Sequence, residues 1–200
     1  NTIPSLFSKI HKSNAVNYGE TGYTSIQSLN FLNTLIIENK LNLKNKVVIF
    51  YDGVNNVADN CLVNNSGLET SRQIQINEYI NKPQPSKLSY YKEPIVYIFE
   101  SIKKNIFDHN YQSSNFRDCD EDNSKAETVS NNLINTWKLT KKIVENNGGK
   151  FIPVLQPVIY IGEVKRDHID LISDNDLDKN YEVVYKMLQR KALKTFGNSF

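Results

Sequence analysis

The chain has 200 residues, 39% of them hydrophobic, with nine Phe and eleven Tyr, which suits one globular domain with a solvent-excluded interior. Twenty-four Lys and Arg oppose 22 Asp and Glu, for a net charge of +2, and the positive residues form no arm or stripe, so nucleic acid is not an expected partner. No run of 18 apolar residues occurs, and the first residues, Asn1-Thr2-Ile3-Pro4, carry neither an initiator Met nor the pattern of a signal peptide. The expected start of translation lies upstream of Asn1.

Thr2 to His11 reads as a short helix, with Thr2 as cap, Pro4 in the first turn, and Ile3, Leu6, Phe7 and Ile10 on one face. Ala15 to Tyr18 is a strand candidate. A capping-box spacing from Thr24 to Gln27 opens the next helix, whose apolar face runs through Ile26, Leu29, Leu32 and Ile36. Val47 to Tyr51 is a continuous β-branched and aromatic run, the pattern of a parallel strand covered on both faces, and Asp52-Gly53 breaks it into a loop.

Ser124 to Glu127 forms a second capping-box spacing before a helix with Val129, Leu133, Trp137 and Val144 on its apolar side, stopped at Gly148-Gly149. Phe151 to Leu155 reads as another buried strand. A final helix from about Asp178 places Tyr181, Val184, Tyr185, Leu188 and Ala192 on one face. Alternating strands and helices predict an open α/β fold with a parallel sheet. Between Val57 and Asn123 the alternation stops, so this stretch is predicted to be an insertion, with an amphipathic helix through Ile95, Ile98, Phe99, Ile102 and Ile106. Cys61 and Cys119 are far apart and lack metal-ligand spacing, which predicts two ordinary thiols, no zinc and no disulfide scaffold.

Two loops carry the chemistry. Asn17-Tyr18-Gly19-Glu20-Thr21-Gly22-Tyr23-Thr24-Ser25 lies between a strand candidate and a helix start, where backbone N–H groups can face a negative charge. Taken alone it is equally a glycine-rich turn. Asp52-Gly53-Val54-Asn55-Asn56 leaves the C-terminal end of the following strand, where open α/β sheets place ligands, and alone it is equally an Asx-rich turn. Together, two neutral N–H donors from one edge of a sheet can converge on a developing oxyanion.

Asn17-x-Gly19-x-x-Gly22-x-Thr24-Ser25 resembles the second conserved block of the SGNH (GDSL-like) hydrolases, and Gly53-Val54-Asn55-Asn56 resembles the third, in which Asn is usually followed by Asp. Gln156-Pro157 and Thr2-Ile3-Pro4 are similar to further segments, so the likeness spans about two thirds of the chain. The resemblance implies a flavodoxin-like three-layer sandwich over residues 1–200 as a single domain, with the insertion at about 57–123 and the first strand missing between Ala15–Tyr18 and Val47–Tyr51. It further implies a serine ester hydrolase acting on an acyl or acetyl ester of a small molecule or carbohydrate, without a cofactor or metal. Gly22 would donate its backbone N–H, and Asn55 its side-chain amide, to the oxyanion. Asn56 stands where the family has Asp, which questions the support of that loop.

The nucleophile block and the closing Asp-x-x-His block do not occur among these residues. His11, Asp108-His109 and Asp167-His168 lack the strand-end placement of a base, and Ser25, at a helix start, is read as a hydrogen-bonding residue. The fragment is therefore expected to be inactive alone. An O-acyltransferase of the same fold, and a non-catalytic anion- or nucleotide-binding α/β module, are the alternatives.

Overall fold

A computed structural model describes residues 2–62, 117–162 and 175–197, together with Asn65, Ile76 and Ile80. Among them lie five helices and two strands: α1 (Ile3–His11), α2 (Ser25–Ile37), β1 (Val47–Asp52), α3 (Val54–Asn60), α4 (Asn123–Asn146), β2 (Lys150–Leu155) and α5 (Asn175–Phe196). The architecture is mixed α/β with a small parallel sheet, in which β1 pairs with β2 from Val47 opposite Lys150 to Asp52 opposite Leu155. The amphipathic helix predicted in the insertion lies outside the described residues.

Local chemistry sets most element ends. Thr2 caps α1, exchanging hydrogen bonds with Ser5, and Pro4 sits in the first turn where its missing N–H costs nothing. Gln27 Oε1 accepts from the Thr24 N–H at 2.9 Å, and α2 buries Leu29, Leu32 and Leu35. The start of α4 differs from the capping box expected at Ser124. Asp122 is the cap, its carboxylate accepting from the amides of Ser124 and Lys125, because an Asp one residue before the helix reaches both free N–H groups. Helix α5 begins at Asn175, three residues before the predicted start at Asp178.

The core is built around α4. Val129, Leu133, Trp137 and Val144 are wholly buried on the stripe predicted for it, and α4 packs on β2, α2 and α5. Phe50 and Phe151, diagonal neighbours on one face of the sheet, meet edge-to-face at 5.3 Å between ring centres. Helix α5 presents Tyr181, Val184, Tyr185, Leu188 and Ala192 to this core, the residues its periodicity selects.

Four expectations need correction. Ala15 to Tyr18 forms no strand; Val16 and Tyr18 are exposed, and without a neighbouring strand to take its hydrogen bonds a β-prone run gains nothing from extending. Strand β1 is covered on one face only, since Val47, Ile49 and Tyr51 are 52%, 40% and 38% exposed while Phe50 is buried. Asp52-Gly53 starts no loop: α3 follows β1 directly, so Asn55 and Asn56 lie in a first helical turn. The two cysteines are not free thiols either. Cys61 and Cys119, 58 residues apart, are joined by a disulfide, because the chain leaving α3 returns to the same place before α4. Spacing alone could not reveal that return.

The direct passage from β1 to α3 depends on Gly53. Its φ of 128° is a left-handed value that side chains resist, and an added Cβ would stand 2.6 Å from Leu155 Cδ1 and 2.8 Å from the Tyr185 hydroxyl oxygen. Gly53→Ala is therefore expected to cost about 2 kcal/mol or more, combining strain with overpacking. Urea unfolding of parent and variant measures it, and an unchanged midpoint would contradict this account.

Candidate functional site

The turn before α2 and the first turn of α3 meet at the C-terminal end of β1. Within the turn, Asn17 Oδ1 accepts from the Gly19 N–H at 3.1 Å, and Gly22 takes a φ of 83°, which lets the chain enter α2 through Tyr23 and Thr24. From α3, Asn55 Nδ2 donates to the Tyr23 carbonyl at 3.0 Å. Asn56 grips the next turn, its Oδ1 accepting from the Ser25 N–H at 3.2 Å and its Nδ2 donating to Ser25 Oγ at 2.9 Å.

The orientation of the Asn56 amide is dictated by chemistry. The Ser25 backbone N–H can only donate, so the amide oxygen must face it, leaving the amide nitrogen opposite the Ser25 hydroxyl. Asn56 is 2% exposed and Ser25 1%, so both groups would be costly to leave unsatisfied. The neutral Asn thus supplies the support questioned when it was compared with the family's Asp.

Gly22 and Asn55 are accordingly brought to one end of the sheet, through Tyr23, which follows Gly22 and carries the carbonyl that Asn55 holds. The Gly22 N–H meets no acceptor among the described residues, and nothing lies within 4 Å of the position a Cβ would occupy there. Asn55 spends one amide hydrogen on Tyr23, and the other meets no acceptor among the described residues. Two neutral N–H donors are thus available beside the N-terminus of α2, whose dipole favours negative charge.

Three further groups hold this corner, and sequence reasoning gave them no such role. Tyr185 Oη donates to the Gln156 carbonyl at 2.9 Å, and Tyr181 Oη to the Val54 carbonyl at 3.0 Å, tying α5 to the ends of β2 and α3. Burial pushes the Tyr181 hydroxyl up to about 12 and Tyr185 higher still, so both remain protonated donors. Gln156 N–H donates to the Asp52 carbonyl at 2.8 Å, extending the ladder one step past β2. Their only sequence signal was the helical spacing of the two tyrosines and the position of Gln156 after a strand.

The Asp52 carboxyl lies at the same corner. It is buried under α4 and accepts from Trp137 Nε1 at 2.9 Å, which places Trp137 in the core rather than on a substrate platform. Burial drives its pKa up from 3.8 to about 6, with the Trp137 bond pulling in the opposite direction.

The remaining candidates are elsewhere. His11 ends the exposed helix α1, its ring 4.4 Å from that of Phe7, while Asp108, His109, Asp167 and His168 lie outside the described residues. Among the described residues no group of three or more His, Cys, Asp or Glu side chains is placed to hold a metal ion, and no helix is long and apolar enough to cross a membrane. No family model, curated protein or solved structure matches the chain.

Asp52 gives the site a pH signature. Its folded pKa lies above the unfolded value, so the native state binds this proton more tightly, and the group's stabilisation, present below about pH 4, is lost as pH rises to about 6. Asp52→Asn keeps an acceptor for Trp137 and removes the buried charge. The variant is expected to exceed the parent in stability above pH 6 by on the order of 3 kcal/mol, with the difference shrinking towards pH 4. Denaturant titrations across that range measure it, and a constant difference would refute the assignment.

Proposed function

We propose that this chain is the oxyanion-binding part of a serine ester hydrolase of the SGNH type, with Gly22 and Asn55 as its donors. The observation that carries the reading is the bond from Asn55 Nδ2 to the Tyr23 carbonyl, which brings the asparagine of one motif against the glycine turn of the other while leaving on each donor an amide hydrogen that meets no acceptor among the described residues. The identity of the motifs and their spacing supports it independently.

In this reading an acyl or acetyl ester carbonyl of a small molecule or carbohydrate lies between Gly22 and Asn55. As a serine hydroxyl adds to the carbonyl carbon, its oxygen gains charge and strengthens the hydrogen bonds from both donors, which lowers the barrier rather than merely binding the ester. The serine, the His that takes its proton and the Asp that orients that His are supplied by residues other than these 200. In this reading strand β1 belongs to a flavodoxin-like sheet in which the nucleophile strand lies beside it. An O-acyltransferase would use the same donors, with a sugar hydroxyl in place of water.

Two measurements test the proposal. The 200-residue chain should not hydrolyse an aryl acetate above background; turnover abolished by Asn55→Ala would show that it holds its own nucleophile. In the protein that includes the serine, Asn55→Ala should lower kcat by about 10²-fold or more, the scale for loss of one oxyanion donor. A rise confined to KM would reduce Asn55 to substrate positioning. Adding a sugar acceptor separates hydrolase from transferase. Thermal stabilisation by a nucleotide, with no activity on esters, would favour an anion-binding module instead.

A further inference from the structure

The disulfide joins Cys61, just after α3, to Cys119, just before α4. Both residues are wholly buried. The two chain runs are joined around them: the Asp118 N–H donates to the Cys61 carbonyl at 3.1 Å, Leu62 and Arg117 form an antiparallel bridge, and Arg117 Nε donates to the Ala58 carbonyl at 2.8 Å. From α4, the nearly buried Lys125 ammonium stands 2.7 Å from Asp118 Oδ1 and donates to the Leu62 carbonyl.

Helix α3 needs such an anchor. It has seven residues, under two turns, too few for a helix to persist by itself, yet it carries Asn55 and Asn56 at one end and is followed by Cys61 at the other. At its first turn it is held by hydrogen bonds to Tyr23 and Ser25, and at its last by Arg117 and the disulfide. A cross-link across a 58-residue separation removes much conformational freedom from the unfolded chain, so its contribution to stability is large.

We propose that this chain folds in an oxidising compartment outside the reducing cytosol, and that the Cys61–Cys119 bond formed there fixes α3, and with it the donor Asn55, in place. Cytosolic conditions keep such cysteine pairs as thiols, whereas compartments with disulfide donors oxidise them. The reaction is thiol–disulfide exchange. One cysteine thiolate attacks a small-molecule or protein disulfide, forming a mixed disulfide and releasing one donor thiol. The second thiolate then attacks the mixed disulfide at the sulfur of the first cysteine, and the other donor thiol leaves. The cysteine pair loses two protons and two electrons, and the donor disulfide becomes two thiols.

The test counts thiols and reads amide exchange, neither of which involves an ester or turnover, so it stands apart from the hydrolase reading. The 200-residue chain is produced by secretion, unfolded, and alkylated with iodoacetamide before and after reduction, with intact mass as the readout. No alkyl group is expected before reduction and two after it, one for each cysteine in the chain. Cys61→Ala combined with Cys119→Ala is expected to lower Tm by on the order of 10 °C. In the same variant the α3-bonded amides of Val57 and position 61 should exchange about tenfold more than the amides of Leu133 and Trp137 in α4 are accelerated. Should the double variant fail to fold, the thiol count alone decides. Two alkyl groups added before reduction would overturn the proposal, as would a double variant whose Tm and α3 exchange match the parent.

Discussion

A buried carboxamide is satisfied only where an acceptor and a donor face it together, and Asn56 finds both on Ser25. That pair of hydrogen bonds, between residues 31 apart, is what makes one site of two separate loops. Without it the α2 entry and the α3 entry would share, among the described residues, only the side-chain bond from Asn55 to Tyr23, made by a half-buried side chain that solvent can compete for. The clamp also fixes polarity: with Asn at this position Ser25 Oγ accepts, and position 56 brings no negative charge to Ser25.

Behind the clamp the support is layered by chemistry. Asp52, Gly53 and Gln156 close the strand ends, Tyr181 and Tyr185 fasten α5 across them, and Trp137 reaches from α4 to the Asp52 carboxyl. Each is a polar group taken out of water, and each buried donor here meets a carbonyl or carboxylate. The cost of the buried Asp52 charge is accepted at the point where β1 gives way to α3, a position that a hydrophobic residue could have filled more cheaply. Its single hydrogen bond from the indole orients the large Trp137 side chain in the centre of the core.

What the sequence disclosed was what short-range chemistry controls. The Thr24–Gln27 cap, the Pro4 start of α1, the buried stripes of α4 and α5, and the two β-branched runs that became β1 and β2 all follow from neighbours within a turn or a strand. Gly22 and Asn55 were singled out through motif likeness, and the bond from Asn55 to Tyr23 is a tertiary fact that the spacing only suggested. The cap of α4 was misplaced because Asp122 and Ser124 are both competent caps, and the choice between them rests on geometry two residues wide. Ala15 to Tyr18 had strand-like composition but no partner, and strand formation is a property of pairs. The disulfide and the Asp52–Trp137 bond, linking residues 58 and 85 positions apart, have no local signature at all.

The absence of any connecting loop between β1 and α3 puts the direction of Asn55 in phase with the pleat of the strand. A strand alternates its side chains every residue, whereas a helix turns each successive side chain by about 100°, and Gly53 is the one joint at which the two periods are matched. A single residue inserted or removed at that joint would swing Asn55 away from Tyr23 by roughly a third of a turn. It would also exchange the buried and exposed faces of any strand residue displaced with it. Length at this corner is therefore constrained as tightly as side-chain identity.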